Sequence, residues 1–441
     1  MAGKWFSVFA FVLLASYVAA QGEDNNEGPV EDPDCVQNGT CPIYAGYQTT
    51  TDVRERGEID LDVNDMSAFA DSFDFGQAKA IFQQGKNSRS STGLRTLEGF
   101  SVQAEEKMSD WESYKLFKAY YNDNPAYARD YVLDALDASG EFGGAPDWTR
   151  AEASVKGAQY MCLAMYVIHE MEDAVADCNA GDILDNDGGA KAWDETAAFY
   201  VGSIVANEAD DGVLQYGLAQ NRRLQFTGSM DVNDAVMDLL NEGKQIVDAE
   251  ARNCGRLESI KDEIIDLVKI PLLQGLIRYA FLADENSSGT SSNLPKARGE
   301  GNAFARSILP WIAGTDADVG TKIDENFPPV GQAVKDGYVS VVESLDSLYG
   351  RGFFSSISAD DVGTLTAAEG EESPEDSGLS GGAIAGIVIG VLAGVAILIV
   401  AALWFMKRRK SKSSYAKDAN AAGDAAYTGS KGEGYVPPEM A

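Results

Sequence analysis

Apolar residues recur every three or four positions through most of residues 43–354, which is the spacing of helices that bury one face. Ala, Leu, Met and Glu are common there, and long alternating runs of β-branched residues are absent, which disfavours strands. The sequence therefore predicts an all-α fold built from helical bundles. The clearest predicted helices are Asp110–Tyr121, Ala126–Ala138, Val155–Ala176, Ala190–Ala206, Val232–Glu250 and Leu257–Val268.

A faint internal repeat indicates that the bundle is duplicated. Each copy begins with Val-Lys, continues as an apolar helix with a Tyr and a Glu at fixed offsets, and is followed by a short block that begins with Glu and ends with Phe. The first copy comprises Val155-Lys156, Tyr166, Glu172 and Glu195–Phe199, and the second comprises Val268-Lys269, Tyr279, Glu285 and Glu300–Phe304. Chance similarity between two amphipathic helices is the alternative.

One segment has the pattern of a membrane helix. Ala383–Phe405 has no charged or strongly polar side chain and is long enough to cross a bilayer. The basic cluster that comes next, Lys407–Lys410, holds that end in the cytosol. We therefore predict a transmembrane helix at 383–406 and a cytoplasmic tail at 407–441.

Four glycines, Gly382, Gly386, Gly390 and Gly394, recur every four residues along this segment. Small residues at that spacing lie on one stripe and let two membrane helices approach closely. The stripe indicates a homodimer formed within the membrane. The general abundance of glycine in membrane helices is the alternative.

The N-terminus has the features of a signal peptide at 1–20, because Lys4 precedes an apolar run that ends in small residues. We therefore predict a single-pass plasma-membrane protein with its N-terminus outside the cell. Composition then divides the exterior into three parts, which are an acidic leader loop at 21–42, a helical ectodomain at 43–354 and a flexible stalk at 355–382.

The charge balance restricts the function classes. The chain has 69 Asp and Glu against 35 Lys and Arg, a net charge of −34. A field of that sign repels nucleic acid and attracts cations, although solubility alone would also explain an acidic surface. The single histidine excludes catalysis by a histidine pair, and the sequence has no nucleophile elbow or phosphate loop. We therefore predict no enzymatic activity.

Cysteines and glycosylation motifs fit an extracellular chain. Cys35 and Cys41 bracket a short loop and are predicted to form a disulfide. Asn38 and Asn286 each begin an Asn-x-Ser/Thr sequence in a polar segment, so both are predicted glycosylation sites.

One helix end carries a group of metal-ligand types. Tyr166, His169, Glu172 and Asp173 fall within about 60° of one direction on a helical wheel. A phenol, an imidazole and two carboxylates suit a hard or borderline cation. A Gly-rich turn then leads to a second helix that could bring Asp194 or Glu195 against them. The alternative is a helix terminus that emerges into water.

Several blocks resemble the algal iron-assimilation protein family, which includes the diatom phytotransferrins. The resemblance spans about residues 50–350, and its most specific part is the Trp-Asp-Glu block at 193–195 with the Phe-Tyr-x-Gly-Ser that comes after it. The blocks are Glu58–Met66, Phe75–Ser88, Ala192–Ser203, Leu214–Phe226 and Val268–Phe281.

The resemblance implies a surface receptor that binds Fe³⁺ together with carbonate, is induced by iron starvation, and is taken up by the endocytic machinery through endosomes. Carbonate requires a positive neighbour, and the sequence does not choose among Lys156, Arg222 and Arg223. The rival interpretation is an extracellular adhesion or protein-binding receptor without a metal site.

Overall fold

The computed structural model describes residues 35–90, 93–182, 188–204, 212–249, 251–288 and 293–366. These residues are mostly helical, which confirms the predicted class, and all of them belong to a compact unit within residues 1–380. Among the described helices, none is long and apolar enough to span a bilayer. The predicted signal peptide, transmembrane helix, glycine stripe and tail lie outside the described residues.

In the described part of the N-terminal third, the chain forms eight helices and two short hairpins. The helices are α1 (Cys35–Asn38), α2 (Arg54–Gly57), α3 (Ile59–Asp71), α4 (Phe75–Gln84), α5 (Leu97–Val102), α6 (Ala104–Met108), α7 (Glu112–Tyr120) and α8 (Tyr127–Asp137). The antiparallel strands pair β1 (Ile43–Tyr44) with β2 (Tyr47–Gln48), and β3 (Arg89–Ser90) with β4 (Gly93–Leu94).

The remaining elements include the longest helices. They are α9 (Asp147–Gly157), α10 (Ala164–Ala180), α11 (Gly189–Val201), α12 (Gln215–Gln225), α13 (Val232–Val247), α14 (Cys254–Ala283), α15 (Glu285–Ser288), α16 (Leu294–Thr315), α17 (Ala317–Asn326), α18 (Tyr338–Asp346) and α19 (Ala359–Val362). Two 3₁₀ turns lie at Gly140–Phe142 and Gly352–Phe354, and β5 (Phe226–Thr227) pairs antiparallel with β6 (Thr364–Leu365).

A single helical rod runs through residues 147–180. It consists of α9, a π-helical segment at Ala158–Leu163, and α10. The π segment is buried throughout, and the rod ends where Gly181 adopts a left-handed conformation with φ 84°. The predicted helix Val155–Ala176 is confirmed, and the structure extends it at both ends.

Other helices pack around this rod and set its surroundings. α16 packs along α9 and α14, whereas α10 packs against α11 and α14. Close packing depends on small residues, because a Cβ on Gly243 of α13 would lie 2.1 Å from Cζ2 of Trp193, which is fully buried on α11. The N-terminal part of the rod, α9, therefore faces α16, whereas its C-terminal part, α10, faces α11 and α14.

Both ends of the compact unit extend beyond residues 43–354. A disulfide joins Cys35 to Cys41 within the predicted leader, and a second joins Cys178 of α10 to Cys254 of α14. In the predicted stalk, residues 355–366 pack on the helical unit, because β6 pairs with β5 and Val362 is buried.

Gly243→Ala should lower the free energy of unfolding by about 1–3 kcal/mol. The new methyl group overlaps the Trp193 ring, and moving α13 away from α11 to make room would lose packing contacts between the two helices. The matched control is Gly76→Ala on the exposed side of α4, where the nearest atom is 3.6 Å away. That control should gain about 0.5–1 kcal/mol from helix propensity. Urea denaturation of both variants measures the difference, and equal shifts would contradict the packing argument.

Candidate metal centre

A polar face of α10 begins where the apolar part of the rod ends. Tyr166, Glu170 and Asp173 are spaced by four and three residues and therefore share one side of the helix. α11 packs alongside and brings Glu195 within electrostatic range of all three groups. We call Tyr166, Glu170, Asp173 and Glu195 the Tyr166 cluster.

Several cations border this cluster, and Arg95 also acts electrostatically on Tyr166. Lys107 of α6 places its Nζ 3.1 Å from the Tyr166 hydroxyl and also interacts with Glu170 and Asp173. The Arg56 Nε donates to Glu195 Oε1 at 2.8 Å, and Lys191 lies 3.9 Å from the same oxygen. Positive charge therefore reaches the cluster from its rim on α2, α6 and α11.

Burial leaves the negative charge of the cluster poorly solvated. Glu170 is 5% exposed, and burial together with the charges of Glu195 and Asp173 raises the pKa of its carboxyl well above the ordinary range. Burial also raises the pKa of Asp173, and burial with the charges of Glu170 and Glu195 raises that of Tyr166. Each of these groups holds a proton more firmly than usual, because the cations at the rim do not offset the effect of burial.

His169 lies beside the cluster, in contact with Tyr166 and Trp111. Its ring packs edge-on against Tyr166, and its Nδ1 accepts a hydrogen bond from Trp111 Nε1 at 3.2 Å. Burial and the charge of Lys107 lower the pKa of His169 to about 3, so the ring is neutral and carries its proton on Nε2. That N–H suits an anion better than a metal ion.

Glu172 points away from the Tyr166 cluster. Its carboxylate forms an ion pair with Lys261 of α14 at 2.8 Å. The sequence placed Glu172 on the same wide face as Tyr166, but the narrower stripe of Tyr166, Glu170 and Asp173 is the one that meets α11.

Asp194 anchors the N-terminal hairpin instead of joining Glu195. Its side chain is fully buried and accepts hydrogen bonds from Tyr47 Oη at 2.7 Å and from the backbone N–H groups of Thr50 and Thr51 at 2.8 and 2.9 Å. Lys244 of α13 completes the set at 2.9 Å. With its oxygens engaged in this way, Asp194 serves the fold.

The three cations considered for carbonate lie elsewhere. Lys156 interacts electrostatically with Asp71 and Glu152 near the start of the rod. Arg222 of α12 is buried against the Phe304 ring, with 5.3 Å between its guanidinium carbon and the ring centroid. Arg223 pairs with Asp231 at 3.4 Å. The cations beside Glu170 are Lys107 and Arg56, which the sequence did not single out.

The other residues selected from the sequence have separate surroundings. Asn38 and Asn286 are both exposed, as glycosylation would require. The acidic residues Asp60 and Asp62 lie in the first turn of α3. There Asp60 caps Ile204 N–H at 2.8 Å and Asp62 caps Asn87 N–H at 2.8 Å. Both carboxylates therefore accept hydrogen bonds from the backbone of other segments of the chain.

The Tyr166 cluster brings donors into proximity without forming a finished coordination shell. Across the described ranges, no three or more His, Cys, Asp or Glu side chains are arranged to hold a metal ion as they stand. Side-chain rotation within the cluster is therefore needed before several oxygens can contact one ion.

A protein family described as low iron-inducible periplasmic protein matches residues 34–309, more than half of the chain. The chain belongs to this family. The resemblance to algal iron-assimilation proteins is thereby confirmed, and the family is linked to iron assimilation induced by iron starvation. Neither the curated proteins nor the solved structures contain a significant match.

The family match includes Glu170, Lys107 and Arg56, which sequence reasoning did not select as site residues. The signal for Glu170 was available, because Tyr166, Glu170 and Asp173 form the regular four- and three-residue stripe of a helix face. Lys107 and Arg56 had no such signal. They lie on short helices, and only the fold brings them to α10.

Asp194→Ala should lower the free energy of unfolding by about 3–5 kcal/mol, since it removes the fully buried partner of Lys244 and leaves two backbone N–H groups without their acceptor. The control is Asp248→Ala, which removes a half-exposed partner of the same lysine and should cost below about 1 kcal/mol. Denaturant titration distinguishes them, and similar costs would show that Asp194 is not the anchor.

Proposed function

We propose that this protein captures ferric iron, together with carbonate, for uptake at the cell surface, and that the Tyr166 cluster is the binding site. The observation that supports the proposal most strongly is the grouping of the buried Tyr166 and Glu170 with the partly buried Asp173 and Glu195 where α10 meets α11. Family membership supports iron as the cargo.

The donor set matches ferric iron in charge and in ligand type. Fe³⁺ is a hard cation that prefers carboxylate and phenolate oxygens, which Glu170, Asp173, Glu195 and Tyr166 supply. A trivalent ion would offset the mutual repulsion of the carboxylates, and it would favour loss of the Tyr166 proton. Binding should therefore release protons.

Groups next to the cluster are suited to hold carbonate. Lys107 and Arg56 provide positive charge, and His169 presents a neutral Nε2–H donor. An anion between these donors and the iron would supply further oxygen ligands. This assignment replaces the choice among Lys156, Arg222 and Arg223.

The wider arrangement of the chain fits capture followed by uptake. In the proposed topology, the helix at 383–406 anchors a compact iron-binding unit outside the cell, and the tail meets the endocytic machinery. Acidification of an endosome would protonate carbonate and the carboxylates and so release the iron.

Glu170→Gln in the full-length chain should weaken ferric iron binding by about tenfold or more, because the change removes a charged oxygen donor and preserves the shape of the side chain. Competition titration against a ferric chelator, with bicarbonate present, measures the affinity. A Tyr166→Phe variant should in addition lose any tyrosinate-to-iron absorption band.

Glu172→Gln is the matched control, since Glu172 lies two residues away on α10 but pairs with Lys261. Its affinity for iron should stay within about twofold of the original. Weakening by Glu172→Gln with no effect of Glu170→Gln would move the site to the other side of α10. No iron binding by the unmodified chain would favour the adhesion receptor.

Iron retention and the stability of the iron-free chain should respond to pH in opposite directions. Protons compete for Glu170 and Asp173 at higher pH than for ordinary carboxylates, so iron should be lost as the pH falls from about 8 to about 5. In the iron-free chain, a raised carboxyl pKa contributes stability that is fully present below the pKa of the unfolded group and is lost as pH rises through the folded value.

Thermal melting of the iron-free chain at several pH values checks the second part. Glu170→Gln removes one raised carboxyl, so the gain in melting temperature on mild acidification should be smaller in the variant. The neutral His169 opposes this gain equally in both proteins, because its pKa is lowered in the folded state. Parallel pH curves would show that Glu170 titrates normally.

A further inference from the structure

A nine-residue motif occurs twice in the chain. Residues 191–199 read KAWDETAAF and residues 296–304 read KARGEGNAF, so Lys, Ala, Glu, Ala and Phe occupy the same five positions. The lysine and the glutamate are four residues apart and therefore lie on one helix face. The first copy contributes Glu195 to the Tyr166 cluster, and the second copy contributes Glu300 to another group of acidic side chains.

The structure places the two copies in related surroundings. Phe199 packs against Tyr166 with 5.3 Å between ring centroids, and Phe304 packs against Tyr279 at 5.5 Å. Tyr166 and Tyr279 are the residues that the internal repeat aligns. A cation also lies over each tyrosine ring, Lys107 at 5.7 Å in the first case and Arg222 at 5.6 Å in the second.

The glutamate of the second copy faces another buried glutamate. Glu300 of α16 is 2% exposed and interacts with Glu152 of α9, which is 7% exposed, and with Asp71 at the end of α3. Lys296 lies 3.5 Å from Glu152, and Lys156 is within electrostatic range of Glu152 and Asp71. We call Asp71, Glu152 and Glu300, with these two lysines, the Glu300 cluster.

A second observation shows that one carboxylate of the Glu300 cluster is incompletely satisfied. Glu300 Oε1 is buried and has no hydrogen-bond partner among the described residues. A buried carboxylate oxygen without a donor is costly in free energy. Burial and the charge of Glu300 also raise the pKa of Glu152 well above the ordinary range, as expected for two carboxyls that share one low-dielectric site.

The Glu300 cluster is accessible and is separate from the Tyr166 cluster. Asp71, Lys156 and Lys296 are partly exposed, so the cluster meets solvent at its rim. Glu152 and Glu170 are 18 positions apart on the rod at 147–180, which corresponds to about 27 Å along the axis. Ions at the two positions would therefore bind independently.

We propose that Glu152 and Glu300 form a second cation site, in which both carboxylates bind a hard metal ion at the opposite end of the rod from the Tyr166 cluster. The choice of ferric iron as this ion rests on the proposed function. The described residues hold no ready group of three or more His, Cys, Asp or Glu ligands, so Glu152 and Glu300 alone would leave the coordination of the ion incomplete. Asp71, solvent and carbonate would supply the remaining oxygen ligands.

The test is the number of ferric ions retained per full-length chain after loading with ferric nitrilotriacetate and bicarbonate and then desalting. We expect two ions in the original chain, one in Glu300→Gln, one in Glu170→Gln and none in the double variant. Glu300→Gln keeps the side-chain shape and removes charge from a repulsive pair, so its melting temperature without iron should not fall. Glu343→Gln, an exposed control on α18, should retain two ions.

The outcomes separate this inference from the proposed function. One ion that is lost in Glu170→Gln and kept in Glu300→Gln would overturn the second site and leave the proposed function intact. One ion that is lost in Glu300→Gln and kept in Glu170→Gln would support the second site and remove the first. No retained iron in the original chain would overturn both.

Discussion

A carboxylate buried in a helical core requires a positive charge, a set of donors or a proton, because the low-dielectric interior cannot solvate its charge. This constraint decides the role of each acid in the fold. The chain has about twice as many acidic as basic side chains, and several acids lie in the core. Lysines and arginines are too few to neutralise all of the acidic side chains, so a surplus of negative charge remains.

The buried acids divide into two groups by their partners. Asp60, Asp62 and Asp194 accept hydrogen bonds from backbone N–H groups, and Asp194 also binds Lys244, so these acids hold separate segments of chain together. Glu170 and Glu300 face other carboxylates, and Glu300 Oε1 has no hydrogen-bond partner among the described residues. The first group is explained by the fold alone. The second group is the basis of the two proposed cation sites.

The sequence predicts the helices well because their apolar spacing is regular, and it predicts the convergence of Glu195 on α10 because only a short stretch of chain separates α10 from α11. It could not separate Asp194 from Glu195, since both follow Trp193 and the choice depends on where the hairpin at 43–48 docks. The prediction from sequence included Glu172 and omitted Glu170, because it considered a wide face of the helix. The stripe of α10 that meets α11 is narrower and contains Glu170. Lys107 and Arg56 lie far from α10 in sequence, and no local pattern links them to it.

The π-helical segment explains how one rod can serve two different neighbours. Residues 18 apart in an unbroken α-helix are separated by about five turns and share one face. Glu152 and Glu170 have this spacing, yet Glu152 faces α16 and Glu170 faces α11. A π segment adds about one residue to a turn and rotates the C-terminal part of the helix by about 100°. The insertion at Ala158–Leu163 therefore turns Glu170 towards α11, and the buried packing of the π segment fixes that angle.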